Sequence, residues 1–457
     1  MATASRPRTR ASWVVTDGLM RHPARLVALG FGIAVVLGTA LLLLPVSASG
    51  PGGAAFSTAL FTATSAVTVT GLVVVDTGSY WSGFGEAVII LLMEVGGIGI
   101  MTMASLLGLV VARRLGLRSR MLVQAETRAV DLGTVRNLLA GVLALSITLQ
   151  LFAWAALTLR LYFGYGESLA TAVYHGLFHA VSAFNSGGFA LYPDSLTRFA
   201  EDVWVLLPLT LAFMLGALGY PVLLEVRRVR RPRAWSVHTK LTLITFGIIA
   251  LIGPAIVLLG EQANPQTLGD LGPRGQVLAA VFSGLSAGSA GFNVIDYAHA
   301  DSATLFATDA LMFIGGGSGG TAGGIKVTTV AVLTLAVIAE IRGDDDVEAF
   351  GRRLAPATVR QALTVTMIGI MLVTLSAFWL LRFTAGDLDH ALFEVVSAFS
   401  NSGLSTGITP ELPDSARYLL VVLMFVGRVG PLTAATALAL RSSRKLYRYP
   451  ETRPLVG

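Results

Sequence analysis

The chain has 457 residues, of which 54% are hydrophobic and 13% charged, a balance that excludes a water-soluble protein of this size and fits a polytopic membrane protein. The net charge of +6 does not point to nucleic acid, because Lys and Arg are spaced between hydrophobic stretches, where they act as a topology signal. The absence of cysteine excludes disulfides, thiolate metal sites and cysteine nucleophiles.

Eight apolar stretches read as spans, at 26–46, 83–112, 136–160, 201–226, 238–260, 302–340, 357–382 and 415–441. The first follows Arg21 and Arg25 and precedes Ser47-Ala-Ser-Gly50, as a signal peptide would. At about 21 residues it exceeds the roughly 7–15 of a signal core, so it is expected to stay as an uncleaved first helix.

Between the members of each successive pair of spans lies a shorter segment, at 54–72, 168–189, 274–292 and 387–404. The first begins as a helix of about 12 residues, roughly 18 Å against a hydrocarbon core of about 30 Å. Such a half-crossing, followed by extended backbone, is tolerated at membrane depth only where protein or a water-filled path covers it. Fourfold recurrence predicts an all-α polytopic membrane protein: four membrane–pore-loop–membrane repeats, with eight spans and four re-entrant half-helices, around one central pore. The boundaries are a tail at 1–23, repeats at 24–112, 113–228, 229–341 and 342–441, and a tail at 442–457.

Charge orients this layout. The N-terminus, 112–136, 227–240, 341–360 and the C-terminus hold 5, 6, 6, 4 and 5 of the 33 Lys and Arg residues. The opposite side holds Arg160, Arg198, Arg274, Arg382 and Arg417, and Lys326 and Arg428 fall inside spans. The basic side is expected to be cytoplasmic, with both termini inside and the four loops outside. Acidic residues on the outer side, from Asp76 to Asp414, read equally well as a cation-attracting vestibule or as ordinary loop solubility.

The four loops align on a glycine. They read Ser65-Ala-Val-Thr-Val-Thr-Gly71, Ser182-Ala-Phe-Asn-Ser-Gly-Gly188, Ser286-Ala-Gly-Ser-Ala-Gly291 and Ser397-Ala-Phe-Ser-Asn-Ser-Gly403, the third one residue shorter. Around one axis they would present backbone carbonyls that replace the water shell of a bare cation. The candidate ligands are Thr68, Val69, Thr70 and Gly71; Asn185, Ser186, Gly187 and Gly188; Ser289, Ala290 and Gly291; and Ser400, Asn401, Ser402 and Gly403. The half-helices would aim their negative C-terminal ends at the same point. No carboxylate lies in these segments, which favours a monovalent over a divalent cation. One such loop alone reads equally as a small-residue helix contact; four at equivalent positions favour the pore.

The stretches FTATSAVTVTGLVVVDT (61–77), AFNSGGF (183–189), SAGFN (289–293), SGGTAGGIK (318–326) and FEVVSAFSNSGLSTGITP (393–410) resemble the Ktr/Trk/HKT superfamily of potassium transporters, most nearly its KtrB-type membrane subunits. The resemblance runs over essentially the whole chain. It implies potassium uptake across the plasma membrane by a homodimer in the lipid bilayer. It also implies a cytosolic nucleotide-binding, KtrA-like regulatory ring on the basic loops and C-terminus, and sodium as a candidate stimulating ion with no site located. Glycine at all four positions matches the potassium-selective branch, and the lack of a helix pair before the first repeat is expected of Ktr-type rather than longer Trk-type subunits.

Gly315-Gly316-Gly317-Ser318-Gly319-Gly320-Thr321-Ala-Gly-Gly324 holds seven glycines in ten residues in the middle of the sixth span. At about 1 kcal/mol per glycine relative to alanine, a continuous helix is penalised there. The stretch is expected to be broken backbone obstructing the path below the carbonyls, with a packed glycine face as the alternative; the resemblance makes it the intramembrane gate. Arg428, deep in the last span, is expected at the pore against this loop, or else capping carbonyls of a broken helix. Lys326 reads equally as pore-lining or as snorkelling to the cytoplasm.

Glu94 either pairs with a buried donor or lines the cavity. His175 and His179, four apart, are expected to be packed or capping residues, since no third metal ligand is near. The 343–353 segment reads as a solvated loop with the option of docking a soluble partner. No nucleophile–base pair or phosphate-binding loop is present, so neither an enzyme nor an organic cofactor is expected. The competing readings are a Trk-type or carrier-like K+/H+ or K+/Na+ symporter, disfavoured by parallel repeats and scarce buried carboxylates, and an intramembrane enzyme.

Overall fold

The computed structural model describes residues 23–114, 133–384 and 387–440; nearly all of the two expected tails and most of the basic 112–136 segment lie outside these. In chain order the helices are α1 (Pro23–Leu42), α2 (Phe56–Thr68), α3 (Gly83–Arg114), α4 (Gly133–Tyr165), α5 (Leu169–Asn185), α6 (Val203–Leu218), α7 (Tyr220–Arg228), α8 (Val237–Glu261), α9 (Pro273–Ala287), α10 (Ser302–Ile314), α11 (Val327–Arg342), α12 (Pro356–Leu380), α13 (Leu388–Ser400) and α14 (Asp414–Leu440). Among the described residues, five helices are long and apolar enough to cross a membrane: α1, α3, α4, α8 and α12. The bent α6–α7 pair makes a sixth if counted as one span.

Burial is inverted relative to a soluble protein. Leu251 is 76% exposed and Phe378 67%, and Val36, Leu91, Leu151 and Leu375 also stand outward from the long helices. Such a continuous apolar exterior fits hydrocarbon rather than water. The fully buried aromatics instead cluster on and around the short helices: Phe61, Phe178, Phe184, Phe282 and Phe393.

The short helices α2, α5, α9 and α13 form the centre of the packing. Each lies between the helices before and after it in the chain, and each also meets one helix from the preceding group. Thus α5 packs on α3, α9 on α6, α13 on α10, and α2 on α14, which closes the circle. Small residues permit this closeness: a methyl group placed on Gly96, Gly216 or Gly427 would stand 2.0, 2.2 or 1.8 Å from the carbonyl oxygen of Val67, Phe184 or Phe399, in the last turns of α2, α5 and α13.

Two elements depart from the sequence reading. The expected single span at 201–226 is bent by 94° between α6 and α7. Gly219 takes φ 92°, and Pro221 starts the new helix at a position where its missing N–H costs nothing. A methyl on Gly219 would meet Ser318 O at 2.8 Å in addition to the strained φ, a penalty of about 1–3 kcal/mol. Gly219→Ala is therefore expected to lower the unfolding midpoint in detergent by several degrees, and an unchanged midpoint would show that the elbow is not held by this contact.

The 343–353 segment contains a two-residue antiparallel ladder, β1 (Glu348–Ala349) and β2 (Arg352–Arg353). Phe350 and Gly351, at φ 52° and 73°, form its turn, and Arg353 pairs with Asp346 at 2.7 Å. Left-handed conformation at both central residues is what a two-residue hairpin needs. Phe350 also receives the Lys240 ammonium 5.5 Å from its ring centre.

Candidate ion pathway

The four loops are built by one local device. The serine opening each Ser-Ala pair offers its carbonyl to a backbone N–H beyond the helix end: Ser65 to Thr70 (2.8 Å), Ser182 to Gly187 (2.6 Å), Ser286 to Ala290 (2.8 Å) and Ser397 to Ser402 (3.0 Å). In the first, second and fourth loops this bond spans five residues and passes a left-handed residue, Val69 (φ 55°), Ser186 (62°) or Asn401 (52°), as in a Schellman closure. In the third, Gly288 stays right-handed and the bond spans four. The missing residue is the left-handed one. Left-handed Val69 is strained by about 1–3 kcal/mol, of the sort found where backbone is held for a ligand.

Hydroxyls of the same serines hold the turns that follow. Ser65 Oγ donates to Leu72 O (2.8 Å) and accepts from Gly71 N (3.1 Å). Ser286 Oγ donates to Phe292 O (2.6 Å), and Ser397 Oγ accepts from Gly403 N (3.0 Å). Ser182 Oγ is buried without a partner.

The loops converge at their glycines. Gly71, Gly188, Gly291 and Gly403 have φ of 94°, 67°, 72° and 90°. A methyl on Gly71 would lie 2.9 Å from Gly188 Cα, one on Gly188 3.2 Å from Gly291 Cα, one on Gly291 3.1 Å from Gly403 Cα, and one on Gly403 3.1 Å from Gly71 Cα. The four therefore form a closed ring in chain order, and the C-terminal ends of α2, α5, α9 and α13 lead into it. Side chains lock neighbours: Asn401 Nδ2 donates to Thr70 Oγ1 and to Met424 O (both 2.9 Å), and Ser402 Oγ donates to Ala287 O (2.8 Å). Thr68, Val69, Thr70, Asn185, Ser186, Ser289, Ala290, Ser400, Asn401 and Ser402 are all buried.

Below the ring the chain leaves helical geometry at Ile314 and resumes it at Val327. The intervening loop is pinned by backbone hydrogen bonds from Gly317 N to Ala217 O (2.9 Å), Thr321 N to Gly216 O (3.0 Å), Lys326 N to Ile314 O (2.9 Å) and Val327 N to Gly316 O (3.0 Å). Its glycines have a packing reason as well: a methyl on Gly320 would stand 2.2 Å from Ala217 O, and one on Gly323 1.9 Å from Ser400 O. Thr321 Oγ1 meets Ser186 Oγ at 2.8 Å, which joins the loop to the second of the four turns. Ser318 Oγ meets Thr328 Oγ1 at 3.0 Å.

The two cations Lys326 and Arg428 lie against this loop. Arg428 is 4% exposed and donates to Thr321 O, while its Nε and second terminal nitrogen have no partner. Lys326, at φ 84°, folds its ammonium back onto Ala322 O and Gly323 O (2.5 and 3.1 Å) rather than away from the loop. Three successive carbonyls, 321 to 323, are thus occupied by the protein's own positive groups. Ser318, Gly319, Gly320, Gly323, Lys326 and Arg428 line a cavity of about 580 Å³.

The remaining candidates are placed as follows. Glu94 Oε2 on α3 is buried and takes no hydrogen bond. His175 Nδ1 lies 3.1 Å from Glu167 and 3.2 Å from the Tyr192 hydroxyl. His179 contacts His175 O through Nδ1 (2.7 Å) and accepts from Leu191 N at Nε2 (3.3 Å), so both histidines are engaged in packing and capping. No group of three or more His, Asp or Glu suited to a metal occurs among the described residues. Several outer carboxylates have local duties: Asp76, Asp202, Asp296 and Asp387 cap helices, and Asp194 pairs with Arg198 at 2.7 Å.

Some working residues escaped the sequence reading. Glu394, fully buried, accepts from Thr406 N (3.1 Å), Thr409 Oγ1 (2.6 Å) and Ser405 Oγ, and so fixes the chain just after Gly403. The serine six residues before the glycine in three loops, and five before it in the third, was a visible signal for the hydroxyl anchors. Gly96, Gly216 and Gly427, set within apolar helices, were the signal for the close helix contacts.

The chain matches the cation transport protein family TrkH over residues 33–449. It is 38% identical to the Ktr system potassium uptake protein B of Bacillus subtilis, covering 95% of this chain and 97% of that one. It is 32% identical to the potassium/sodium uptake protein NtpJ of Enterococcus hirae, again over 95% and 97%. The potassium transporter TrkH from Vibrio parahaemolyticus shares the fold, with a TM-score of 0.69 over 90% of this chain and 83% of that one at 19% identity. Family match and fold agree, and the chain belongs to the TrkH family of cation transport proteins, a multi-pass membrane transporter rather than an enzyme.

Proposed function

We propose that the protein takes up potassium across the plasma membrane as the ion-translocating subunit of a Ktr-type system. In this reading α2, α5, α9 and α13 are re-entrant half-helices, and the helices around them make eight spans, with α6–α7 and α10–α11 each a broken one. The observation that carries it is the closed ring of Gly71, Gly188, Gly291 and Gly403, each at positive φ and each against the next. Backbone brought this close without side chains is suited to coordinating a dehydrated monovalent cation through carbonyls. The ring and the loops leading to it, from Thr68, Asn185, Ser289 and Ser400, act as the filter; the 315–326 loop with Lys326 and Arg428 is the gate.

The charge distribution supports a cytoplasmic location for both termini, with a homodimer and a cytosolic nucleotide-binding ring as expected partners. The name of the Enterococcus relative includes sodium, which keeps sodium as the second candidate ion.

The test is rubidium uptake into proteoliposomes, competed by potassium or sodium. Saturable uptake blocked far better by potassium is expected; uptake that requires a proton gradient and ignores potassium would favour a coupled carrier. Ser65→Ala leaves Gly71 N–H and Leu72 O unpaired at about 1–3 kcal/mol per group. It is expected to reduce potassium-over-sodium discrimination several-fold while the protein still purifies, and unchanged competition curves would remove the hydroxyl anchors from the filter.

A further inference from the structure

The α6–α7 elbow carries a feature that transport does not use. Arg227, Arg228, Arg230, Arg231 and Arg233 place five guanidinium groups within seven residues, all exposed, with no ion pair among the described residues. The nearby carboxylate is already engaged: Glu225 accepts from Ser236 N and Ser236 Oγ (both 2.7 Å) and from Thr239 Oγ1. The strip is folded rather than loose. Trp235 Nε1 donates to Val229 O (2.8 Å), and the Lys240 ammonium donates to Arg233 O (2.9 Å).

An unneutralised arginine cluster on ordered backbone is suited to phosphodiester oxygens, which guanidinium groups bind in paired hydrogen bonds. Geometry favours a lipid over a soluble acidic partner. α7 turns 94° away from the apolar α6, so it runs along the bilayer plane wherever α6 crosses it. Exposed Val226 and half-buried Trp235 flank the arginines, the mixture of interfacial segments. Basic residues beside an anionic leaflet are drawn to its surface, and five of them act together.

The elbow is also joined to the glycine-rich loop. Gly219 approaches Ser318 O and Gly320 N so closely that a methyl there would stand 2.8 and 2.9 Å away, and one on Gly319 would meet Pro221 Cδ at 3.2 Å. The α6 side of the bend holds the loop through Gly216 O and Ala217 O. We propose that the arginine elbow binds anionic phospholipid headgroups, and that this binding clamps the glycine-rich loop through Gly219 and Pro221. The proposal rests on the placement of α6 as a membrane span and adds a lipid ligand and a regulatory route to the pathway.

The cysteine-free chain permits a direct test. The full-length Ser318→Cys variant is reconstituted in phosphatidylcholine vesicles with or without phosphatidylglycerol, and its rate of thiol labelling is measured. Labelling is expected to slow several-fold with phosphatidylglycerol, and the dependence is expected to vanish when the five arginines are replaced by glutamine. Native mass spectrometry of the otherwise unaltered protein should show retained phosphatidylglycerol that the glutamine variant has lost. Equal labelling in both lipids with equal lipid retention overturns the proposal. Slowing by added polyglutamate in pure phosphatidylcholine, but not by phosphatidylglycerol, also overturns it and assigns the elbow to an acidic protein. Rubidium uptake by the unaltered protein in vesicles of the same lipids separates the two readings, because lipid-dependent labelling of the variant with no uptake by the unaltered protein leaves the elbow standing and counts against the transport reading.

Discussion

Alanine at Gly403 is expected to abolish rubidium uptake, whereas alanine at Gly188 leaves a measurable fraction. The added methyl at Gly403 would lie 2.0 Å from Thr70 O, and at Gly291 2.2 Å from Ser402 O. At Gly71 it would lie 2.6 Å from Gly187 O, and at Gly188 3.0 Å from Ala290 O. In all four cases the obstacle is a backbone oxygen, which cannot rotate away as a side chain can, and only at Gly188 is it as far as 3.0 Å. Overpacking of about 1–3 kcal/mol adds to left-handed strain of about 1–3 kcal/mol. Together these roughly 2–6 kcal/mol reduce the population of the intact ring by a factor of about 30 or more, at 1.4 kcal/mol per tenfold. Gly188→Ala needs only a shift of a few tenths of an ångström. Uptake per reconstituted protein should fall in the order Gly188, Gly71, Gly291, Gly403, with the last the most damaged. Equal loss at all four positions, or Gly188 as the worst, would mean that the ring spacing does not carry the ion.

Replacing Arg428 by alanine is expected to raise rubidium flux by about tenfold or more. The guanidinium is buried, donates to Thr321 O, and has no carboxylate to offset its charge among the described residues. Its hydrogen bond to the loop carbonyl, of the charged type, is worth about 1.5–3 kcal/mol. Removing it frees the loop by that amount and takes a repelling charge from the path. The fold should tolerate the change, since a charge with two unpartnered nitrogens is costly to keep buried. Arg428→Lys should be intermediate, as it keeps the charge but loses the fork. Lys326→Met should raise flux less, because Arg428 still holds Thr321. Lower uptake by a correctly folded Arg428→Ala protein would make the arginine a required ligand of the pathway instead of a barrier.

The four glycines that meet in the structure are the four on which the loops align in the sequence. Length and hydropathy exposed long spans, and the short segments with Ser-Ala and a glycine five or six residues after the serine marked the four turns. Two features were hidden for a common reason. The Leu218-Gly219-Tyr220-Pro221 elbow sits inside a stretch whose hydropathy is continuous, and hydropathy reports solvent preference rather than direction. Glu394 looked like an isolated charge in a half-helix; its partners Ser405, Thr406 and Thr409 lie beyond the glycine, in a loop with no periodicity to read.

Residue pattern alone determined that this chain lives in a membrane, that it repeats a long–short–long helix unit, and that its turns need glycine, because solvent transfer and φ preference act on each residue locally. Tertiary structure decided which glycine touches which, and that Arg428 and Lys326 occupy neighbouring loop carbonyls. It also decided that Gly219 and Pro221 at the α6–α7 elbow lie against Ser318, Gly319 and Gly320 of the glycine-rich loop. Those facts depend on contacts between residues up to hundreds of positions apart, such as Asn401 with Thr70. No local preference encodes such a contact; it appears only once the helices have packed.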